Sequence, residues 1–378
     1  MGAHAAHLPL WRDLFPHWDF PQAVAPHLEA HCGRGPRDES EWHFAQAVDA
    51  APKIELHVHV EAAVPQAFYE TLAQAQATDA TGDKGASAPA APLDQAGAFA
   101  DFIAAWLRNS QLVRDESSLE HLAEAFVASR ARQNIRYTEA HLSLVDLVIM
   151  RRRRPDLGTP LDFSRALMSF AKGLRRALVQ HPAVDVRIIL DLLWLTTQAE
   201  KEELVETILP LLDDEAAASP RGGRLIIGIG LGGPEIHKDL EEWASVMARC
   251  KDSGLLLDIH CGETADRAAA AAACAALRPH RVSHGIAGAP DWIFRGPITA
   301  CPLSNVTTGC YQGPLAQHPG RFMASELAGA SIATDDPLLF GTNLTLEFVA
   351  LRRAWGWEFE DFFCAQERAD AAKYQKLI

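Results

Sequence analysis

The alternation of apolar and polar residues is clearest over residues 53–61, and it predicts a β-strand. Apolar side chains occupy one face of this stretch, and polar side chains, among them His57 and His59, occupy the other. Because side chains two apart on a strand project in the same direction, these two imidazoles should lie side by side. Such a pair can ligate one metal ion, although a lone pair is more often a chance feature of a strand.

Further along the chain, short apolar runs alternate with segments of helical spacing. The runs predict seven more strands, at 136–142, 185–193, 225–231, 255–260, 281–284, 298–301 and 330–334. Helical periodicity is predicted at 65–77, 98–108, 118–133, 163–179, 200–213, 240–252, 266–276 and 345–355.

This order of elements predicts the fold class. Continuous apolar strands such as 186–190 are typical of a parallel sheet whose outer face is covered. Eight strands, most of them followed by a helix, predict an α/β protein of the (β/α)8 TIM-barrel type. A doubly wound open sheet is the alternative, but no Gly-x-Gly-x-x-Gly motif follows the first strand, as the dinucleotide-binding version of that sheet would require.

The composition divides the chain into an N-terminal extension, residues 1–50, and a barrel domain, residues 51–378. The extension is marked by aromatic residues, which are expected to pack on the barrel or against a second subunit in a possible homodimer. Its aromatic residues are Trp11, Phe15, Trp18, Phe20, Trp42 and Phe44. Residues 78–91 are rich in Ala, Gly, Ser, Asp and Pro, and they predict a flexible loop.

Net charge and cysteine spacing exclude several classes of partner and of structural cross-link. The 378-residue chain has a net charge of −14, so nucleic acid and acidic membrane surfaces are not expected partners. Its seven cysteines include no Cys-x-x-Cys pair, which makes a disulfide framework or a structural zinc knuckle improbable. No apolar run reaches 18 residues, and we expect a cytoplasmic protein.

Imidazoles and carboxylates recur at the predicted carboxyl ends of four strands, which meet at one mouth of a barrel. Burying so many ionisable groups is costly unless they are paired or bind a cation. Three imidazoles and one carboxylate form a set suited to one Zn²⁺ per chain, with a water in the open position: His57, His59, His260 and Asp335.

Three further residues complete this prediction. Glu263, three positions after His260, is suited to proton transfer because a carboxyl shielded from water has a raised pKa. His284 and Asp336 would orient the attacking water and the substrate. Taken singly, His284 is more often a core histidine and Asp336 a helix cap; the convergence of the whole set favours a site.

In these residues the chain resembles the adenosine and adenine deaminases of the metal-dependent amidohydrolase superfamily. The resemblance spans roughly residues 52–350 and rests on an ordered set of motifs. These are Glu55-Leu56-His57-Val58-His59, Tyr137-Thr138-Glu139, Gly232-Gly233-Pro234-Glu235, His260-Cys261-Gly262-Glu263, Ser283-His284-Gly285, Cys301-Pro302-Leu303-Ser304-Asn305 and Thr334-Asp335-Asp336-Pro337.

The resemblance implies zinc-dependent hydrolysis of the exocyclic amine of a 6-aminopurine, as in the conversion of adenosine to inosine and ammonia. It gives Glu263 the role of the acid that protonates a ring nitrogen, and His284 the role of base or electrostatic orienter. It makes Asp336 a contact to the imidazole-ring side of the purine and the backbone of Gly233 a contact to the other edge.

The departures from the family pattern concern the substrate. Nucleoside deaminases usually follow the two histidines with Leu-Asp-Gly, whereas this chain has Val60-Glu61-Ala62, and Glu61 resembles the adenine-specific branch. His141 stands where the family tends to have arginine. Adenosine therefore competes with adenine and with other aminopurines or pterins as the substrate. A catalytically silent purine-binding protein is the non-enzyme alternative, but all the expected ligands and Glu263 are retained.

Overall fold

A computed structural model of the chain describes residues 9–19, 26–79, 88–90, 93, 99–288, 294–326 and 330–377. Its centre is an eight-stranded parallel sheet in the order β1 to β8. The strands are β1 Lys53–Glu55, β2 Ile135–Leu142, β3 Asp185–Leu193, β4 Ile226–Gly232, β5 Leu256–Cys261, β6 Arg281–His284, β7 Ile298–Ala300 and β8 Ala330–Ile332. Consecutive strands pair in sequence order with helices between them, which confirms the predicted (β/α)8 barrel.

The described helices are α1 Trp11–Leu14, α2 Pro26–Cys32, α3 Glu39–Ala50, α4 Gln66–Asp79, α5 Phe99–Ser110, α6 Glu116–Arg132, α7 Arg151–Arg153, α8 Phe163–Gln180, α9 Gln198–Leu211, α10 Leu240–Asp252, α11 Arg267–Leu277, α12 Pro302–Thr307, α13 Pro319–Glu326, α14 Pro337–Phe340, α15 Leu344–Trp355, α16 Phe359–Ala371 and α17 Tyr374–Leu377. Eight of them, α4, α5, α6, α8, α9, α10, α11 and α15, match the predicted helical segments to within two residues at each end. None of the described helices is both long enough and apolar enough to cross a membrane. Of the predicted loop 78–91, positions 80–87 and 91 lie outside the described residues.

The first strand is shorter than the stretch 53–61 that was predicted, and this part of the prediction was wrong. β1 ends at Glu55, single parallel bridges follow at Val58 and His59, and a 3-10 turn occupies Val60–Ala62. All three residues of that turn are buried, so no face of it is exposed to water and the two-residue alternation of a strand does not describe it. The bridge from Val58 to Asp335 joins the chain after β8 to the chain after β1 and brings the sheet close to closure.

Buried ion pairs occupy the barrel interior below the strand ends. The fully buried Arg281 of β6 donates hydrogen bonds to Glu139 of β2 (2.6 Å) and to Asp258 of β5 (2.8 Å). Arg130 of α6 donates to Glu55 of β1 at 2.6 Å, and the other oxygen of Glu55 accepts from Thr334. Each of these charges has a partner of opposite sign, as burial of charge requires.

The described part of the extension packs on the barrel's last helices. Trp11 is fully buried and donates a hydrogen bond from Nε1 to the Cys32 carbonyl (3.0 Å), while Phe15 stacks on Trp18. These aromatic side chains share one apolar cluster with α15, and Arg353 of α15 donates to Glu41 of α3 at 2.8 Å. The aromatic residues thus contact their own chain; Phe20 lies outside the described residues.

We expect Trp11→Ala to lower the free energy of unfolding by about 3–5 kcal/mol, because it leaves a cavity the size of an indole in a closely packed cluster. Chemical denaturation should show one transition that moves to lower denaturant as a whole. Val179→Ala is the control, since Val179 is 68% exposed and should change stability by no more than about 0.5 kcal/mol. A separate early transition for the extension would show that it unfolds independently of the barrel.

Candidate metal centre

Five of the predicted side chains converge at the carboxyl end of the barrel. Nε2 of His57 lies 3.1 Å from Oδ1 of Asp335, and Nε2 of His59 lies 3.2 Å from the same oxygen. Nε2 of His59 is also 3.2 Å from Nε2 of His260. His284 completes the group, with its Nε2 4.0 Å from Oδ2 of Asp335. The structure thus brings together residues from the ends of β1, β5, β6 and β8.

This donor set fits a metal ion. His57, His260, His284 and Asp335 each offer one ligand atom, and these atoms all lie within 4.8 Å of one another. Nε2 of His284 is buried and has no hydrogen-bond partner among the described residues. The imidazole of His59 lies beside these four residues, 3.2 Å from both His260 and Asp335. Imidazoles and a carboxylate are the ligand types that zinc takes in catalytic sites.

The pKa shifts agree with a site that favours positive charge. Burial lowers the pKa of His260 to about 4 and that of His57 well below its ordinary value, so both imidazoles are neutral, as metal binding requires. Burial opposes a charge on His59 as well, yet the carboxylates around it, Asp336 first, raise its pKa well above the ordinary value. Burial would raise the pKa of Asp335, but the adjacent imidazoles, first His57 and then His59, hold it well below its usual range.

Asp335 and His284 both have left-handed backbone conformations, with φ of 66° at each. Residues other than glycine adopt this region at a cost of about 1–3 kcal/mol, and such strain concentrates at functional sites. At Asp335 the backbone is held by the barrel itself: its N–H donates to the His57 carbonyl (3.3 Å) and its carbonyl accepts from the His59 N–H (2.8 Å).

A layer of hydrogen bonds orients the candidate ligands. Oγ of Ser283 lies 2.8 Å from Nδ1 of His57, Nδ1 of His260 lies 2.8 Å from the Leu231 carbonyl, and Oγ of Ser304 donates to Oδ2 of Asp335 at 2.6 Å. Such partners fix the ring orientation of a metal ligand and the nitrogen it presents. Sequence reasoning gave no role to Ser283 or Ser304, although both stand inside the motifs that carried the resemblance.

Glu263 lies next to this group. Its Oε2 is 3.8 Å from Nε2 of His284, and burial, with the neighbouring Asp335 carboxylate, raises the pKa of Glu263 well above its ordinary value. The loop that carries it is held by Glu235, whose carboxylate accepts hydrogen bonds from the N–H groups of Gly262, Glu263 and Thr264 at 2.6–2.8 Å. Glu235 was not predicted as a functional residue, although it follows β4 and ends one of the motifs that carried the resemblance.

A cavity of about 820 Å³, its open mouth included, extends outward from the centre. His59, His260, Glu263, Asp335, Asp336 and Gly233 line its polar end. Apolar side chains line the rest, among them Phe99, Phe102, Ile103 and Trp106 of α5, with Met150, Leu193 and Leu195. No lysine or arginine is among the described residues that line the cavity. The cavity therefore suits a flat, largely apolar ligand without a negative charge.

Glu61 lies behind the cavity wall and, unlike the other predicted substrate contacts, is not among the described lining residues. It is 5% exposed, and its Oε1 accepts a hydrogen bond from the N–H of Ser143 (2.8 Å). Ser143 and Asp146 do line the cavity, and Asp146 begins a π-helix, Asp146–Met150, of a kind frequent at functional sites. Burial raises the pKa of both Glu61 and Asp146 to about 7. A direct contact from Glu61 to substrate stays a prediction.

The known proteins that this chain resembles are deaminases. A sequence model described as adenosine deaminase matches residues 52–374. An aminodeoxyfutalosine deaminase of Acidothermus cellulolyticus is 28% identical over 331 residues, which cover 82% of this chain and 85% of that protein. An adenine deaminase of Streptomyces coelicolor is 30% identical over 328 residues, 81% and 85% of the two chains. The solved Arabidopsis N6-mAMP deaminase shares the fold with a TM-score of 0.69 at 20% identity, covering 88% of this chain and 98% of that one.

We expect His260→Ala to weaken zinc binding by more than about 100-fold, since even the partners of metal ligands commonly contribute 10–100-fold. Metal content after dialysis, measured by mass spectrometry, should fall from about one ion per chain to a small fraction. The control is His43→Ala, whose imidazole is exposed on α3, and it should retain its metal. Full metal content in His260→Ala would remove His260 from the ligand set.

Proposed function

The chain belongs to the adenosine deaminase family, and we propose that it is a zinc-dependent aminohydrolase that converts adenosine to inosine and ammonia. Adenine is the alternative substrate, followed by another aminopurine or a pterin. The observation that carries the proposal is the buried carboxyl of Glu263, 3.8 Å from His284, beside four imidazoles and the Asp335 carboxylate, which are ligand types that zinc takes. In the reaction water adds its oxygen to C6 of the purine, the bond from C6 to the amino nitrogen breaks, and ammonia leaves.

His57, His59, His260 and Asp335 are the residues that would hold the zinc ion. When bound, zinc lowers the pKa of water so that a strong nucleophile is available near neutral pH. Burial keeps the imidazoles of His57 and His260 neutral, so their lone pairs are free for the metal. Ser304 holds the second oxygen of Asp335, which leaves Oδ1 facing the two histidines.

Glu263 would supply the proton that the purine needs. The ring carbon of an aromatic purine is a poor electrophile until a neighbouring ring nitrogen is protonated. Burial raises the pKa of the Glu263 carboxyl well above its ordinary value, which favours the protonated form that can donate to that nitrogen. Glu235 holds the Glu263 backbone through two hydrogen bonds on that loop, at 2.6 Å from Glu263 N–H and 2.8 Å from Thr264 N–H, and so positions the acid.

His284 would orient the attacking water. Nδ2 of Asn305 lies 3.0 Å from Nδ1 of His284, and an amide N–H that donates there leaves the imidazole proton on Nε2. Burial lowers the pKa of His284, so the ring is neutral. A neutral ring with its proton on Nε2 donates a hydrogen bond toward the centre, which favours the role of electrostatic orienter over that of base.

The cavity supports the choice of substrate. Asp336 has one buried oxygen without a partner among the described residues, and it faces the same cavity as Gly233, so both can meet the edges of a purine. The cavity continues from Asp336 and Gly233 past the side chains of α5 to an open mouth, where a ribose on the base can lie, which favours adenosine over adenine. Glu61 favours adenine by resemblance, and it would act through the N–H of Ser143 on the cavity wall.

We expect Glu263→Gln to reduce turnover by about 10²–10⁴-fold, because the amide cannot donate the proton. Ammonia release under saturating adenosine measures the loss, and metal content should stay unchanged. Glu241→Gln on the exposed face of α10 is the matched control and should keep full activity. Near-normal deamination by Glu263→Gln would show that another group protonates the purine.

We expect adenosine monophosphate to be a poorer substrate than adenosine by at least about 100-fold in kcat/KM. The described cavity lining has carboxylates and no lysine or arginine to pair with a phosphate, and placing like charges together costs several kcal/mol. An ammonia-release screen should compare adenine, adenosine, deoxyadenosine, adenosine monophosphate, N6-modified purines and pterins. A preference for the nucleotide would contradict the charge argument, and ammonia from none of them would contradict the deaminase assignment.

A further inference from the structure

We infer that His141 and Asp191 are a pair of positioning residues that set the orientation of both metal-binding histidines after β1. His141 lies near the end of β2 and Asp191 near the end of β3, and both are buried, with relative exposures of 0% and 2%. Neither has a place in the set of residues predicted from the sequence to bind metal or substrate. The inference rests on the metal centre of the proposed function, but metal affinity rather than turnover tests it.

His141 and Asp191 contact the Nδ1 side of the His57 and His59 rings. Nδ1 of His141 lies 2.8 Å from Oδ1 of Asp191, and Nε2 of His141 lies 3.1 Å from Nδ1 of His57. The second oxygen of Asp191 lies 3.4 Å from Nδ1 of His59. The pair therefore faces the Nδ1 atom of each ligand ring, while the Nε2 atoms of both rings face Asp335 at 3.1 and 3.2 Å.

One arrangement of protons satisfies these contacts together. His141 donates from Nδ1 to Asp191, and its Nε2 lone pair accepts from Nδ1 of His57. His57 is then a neutral imidazole with its lone pair on Nε2, which is the form that binds a metal. Asp191 can accept from Nδ1 of His59 in the same way, so one carboxylate sets the tautomer of two ligands.

A glycine on β4 makes room for this pair. A Cβ atom at Gly230 of β4 would lie 1.9 Å from Oδ1 of Asp191 and 3.0 Å from Nδ1 of His141. No side chain, not even a methyl group, can occupy that place without displacing the carboxylate. Three neighbouring strands, β2, β3 and β4, thus each contribute a residue on which the fit of this pair depends.

Ser283 provides a second partner for one ring only. Its Oγ lies 2.8 Å from Nδ1 of His57 and donates to Oδ1 of Asp258 at 2.9 Å. Asp258 also lies 3.4 Å from Nε2 of His141, but its Oδ2 is bound by Arg281. Among the described residues, Asp191 is the one carboxylate besides Asp335 within 4.0 Å of a His59 ring nitrogen. Losing Asp191 should therefore affect His59 more than His57.

The test compares Asp191→Asn with Asp185→Asn. The first keeps the shape of the side chain but replaces the carboxylate; the second changes a carboxylate at the other end of β3 that pairs with Arg187. Zinc affinity is measured by competition with a chromogenic chelator, and we expect Asp191→Asn to weaken it by about 10–100-fold. The cobalt-substituted protein should also show a changed visible absorption spectrum, which reports ligand geometry directly. Asp185→Asn should alter neither.

A double-mutant cycle tests the role of Gly230. Gly230→Ala should weaken zinc binding about as much as Asp191→Ala does, because it acts by displacing that carboxylate. With Asp191→Ala already present, adding Gly230→Ala should change affinity by less than about threefold. Losses that multiply would show that Gly230 acts independently of Asp191 and would overturn the inference.

The outcomes separate this inference from the proposed function. If the wild-type protein binds no zinc, the metal centre itself is wrong. If the wild type binds zinc and Asp191→Asn binds it equally tightly with an unchanged cobalt spectrum, the positioning role is wrong and the metal centre stands. Weaker binding with a changed spectrum in Asp191→Asn, and none in Asp185→Asn, supports the pair.

Discussion

The backbone of Asp335 is the point on which both the barrel and the site depend. Its N–H and carbonyl exchange hydrogen bonds with the chain at His57 and His59, and this exchange brings the ends of the sheet together. The same residue presents its carboxylate to both imidazoles. Closing the sheet therefore assembles two histidines and a carboxylate at once. The left-handed conformation of Asp335 shows that the exchange is strong enough to offset a backbone strain of about 1–3 kcal/mol.

The carboxylates of the barrel mouth fall into two groups that differ in pairing. On the closed side, Asp258 has Arg281 and Asp191 has His141, so each stays ionised against the cost of burial. On the cavity side, Asp336 and Glu263 have raised pKa values, which burial and their carboxylate neighbours cause. The two acids whose pKa values are raised thus line the cavity, while the ionised Asp258 and Asp191 lie behind the candidate metal ligands. The barrel mouth therefore combines carboxyls that favour protonation with an anionic frame suited to a cation.

The sequence alone predicted what repeats with a regular period and missed what depends on contact between distant strands. The later strands and eight of the described helices were predicted to within a few residues, because each is a continuous run of one periodicity. His57, His260 and Asp335 were predicted to converge because parallel strands end at one mouth. The early end of β1 was not predictable, since the 3-10 turn at Val60–Ala62 is buried on all sides and still reads as alternating. Asp191 was not predictable either, because it lies within an apolar strand and gains meaning only beside His141.

The departure from the family pattern at His141 can be interpreted only together with Asp191 and Gly230. By itself, His141 in place of the usual arginine reads as a change of charge near the pocket. Beside Asp191 it completes a hydrogen-bonded pair, and that pair fits only because β4 has no side chain at Gly230. The three residues lie on three different strands, so a single substitution at any one of them would leave a buried group without its partner or without space. The residues behind the candidate metal ligands therefore depend on one another across three strands. Substrate choice is free to vary separately, because α5 and the π-helix that line the cavity belong to other segments of the chain.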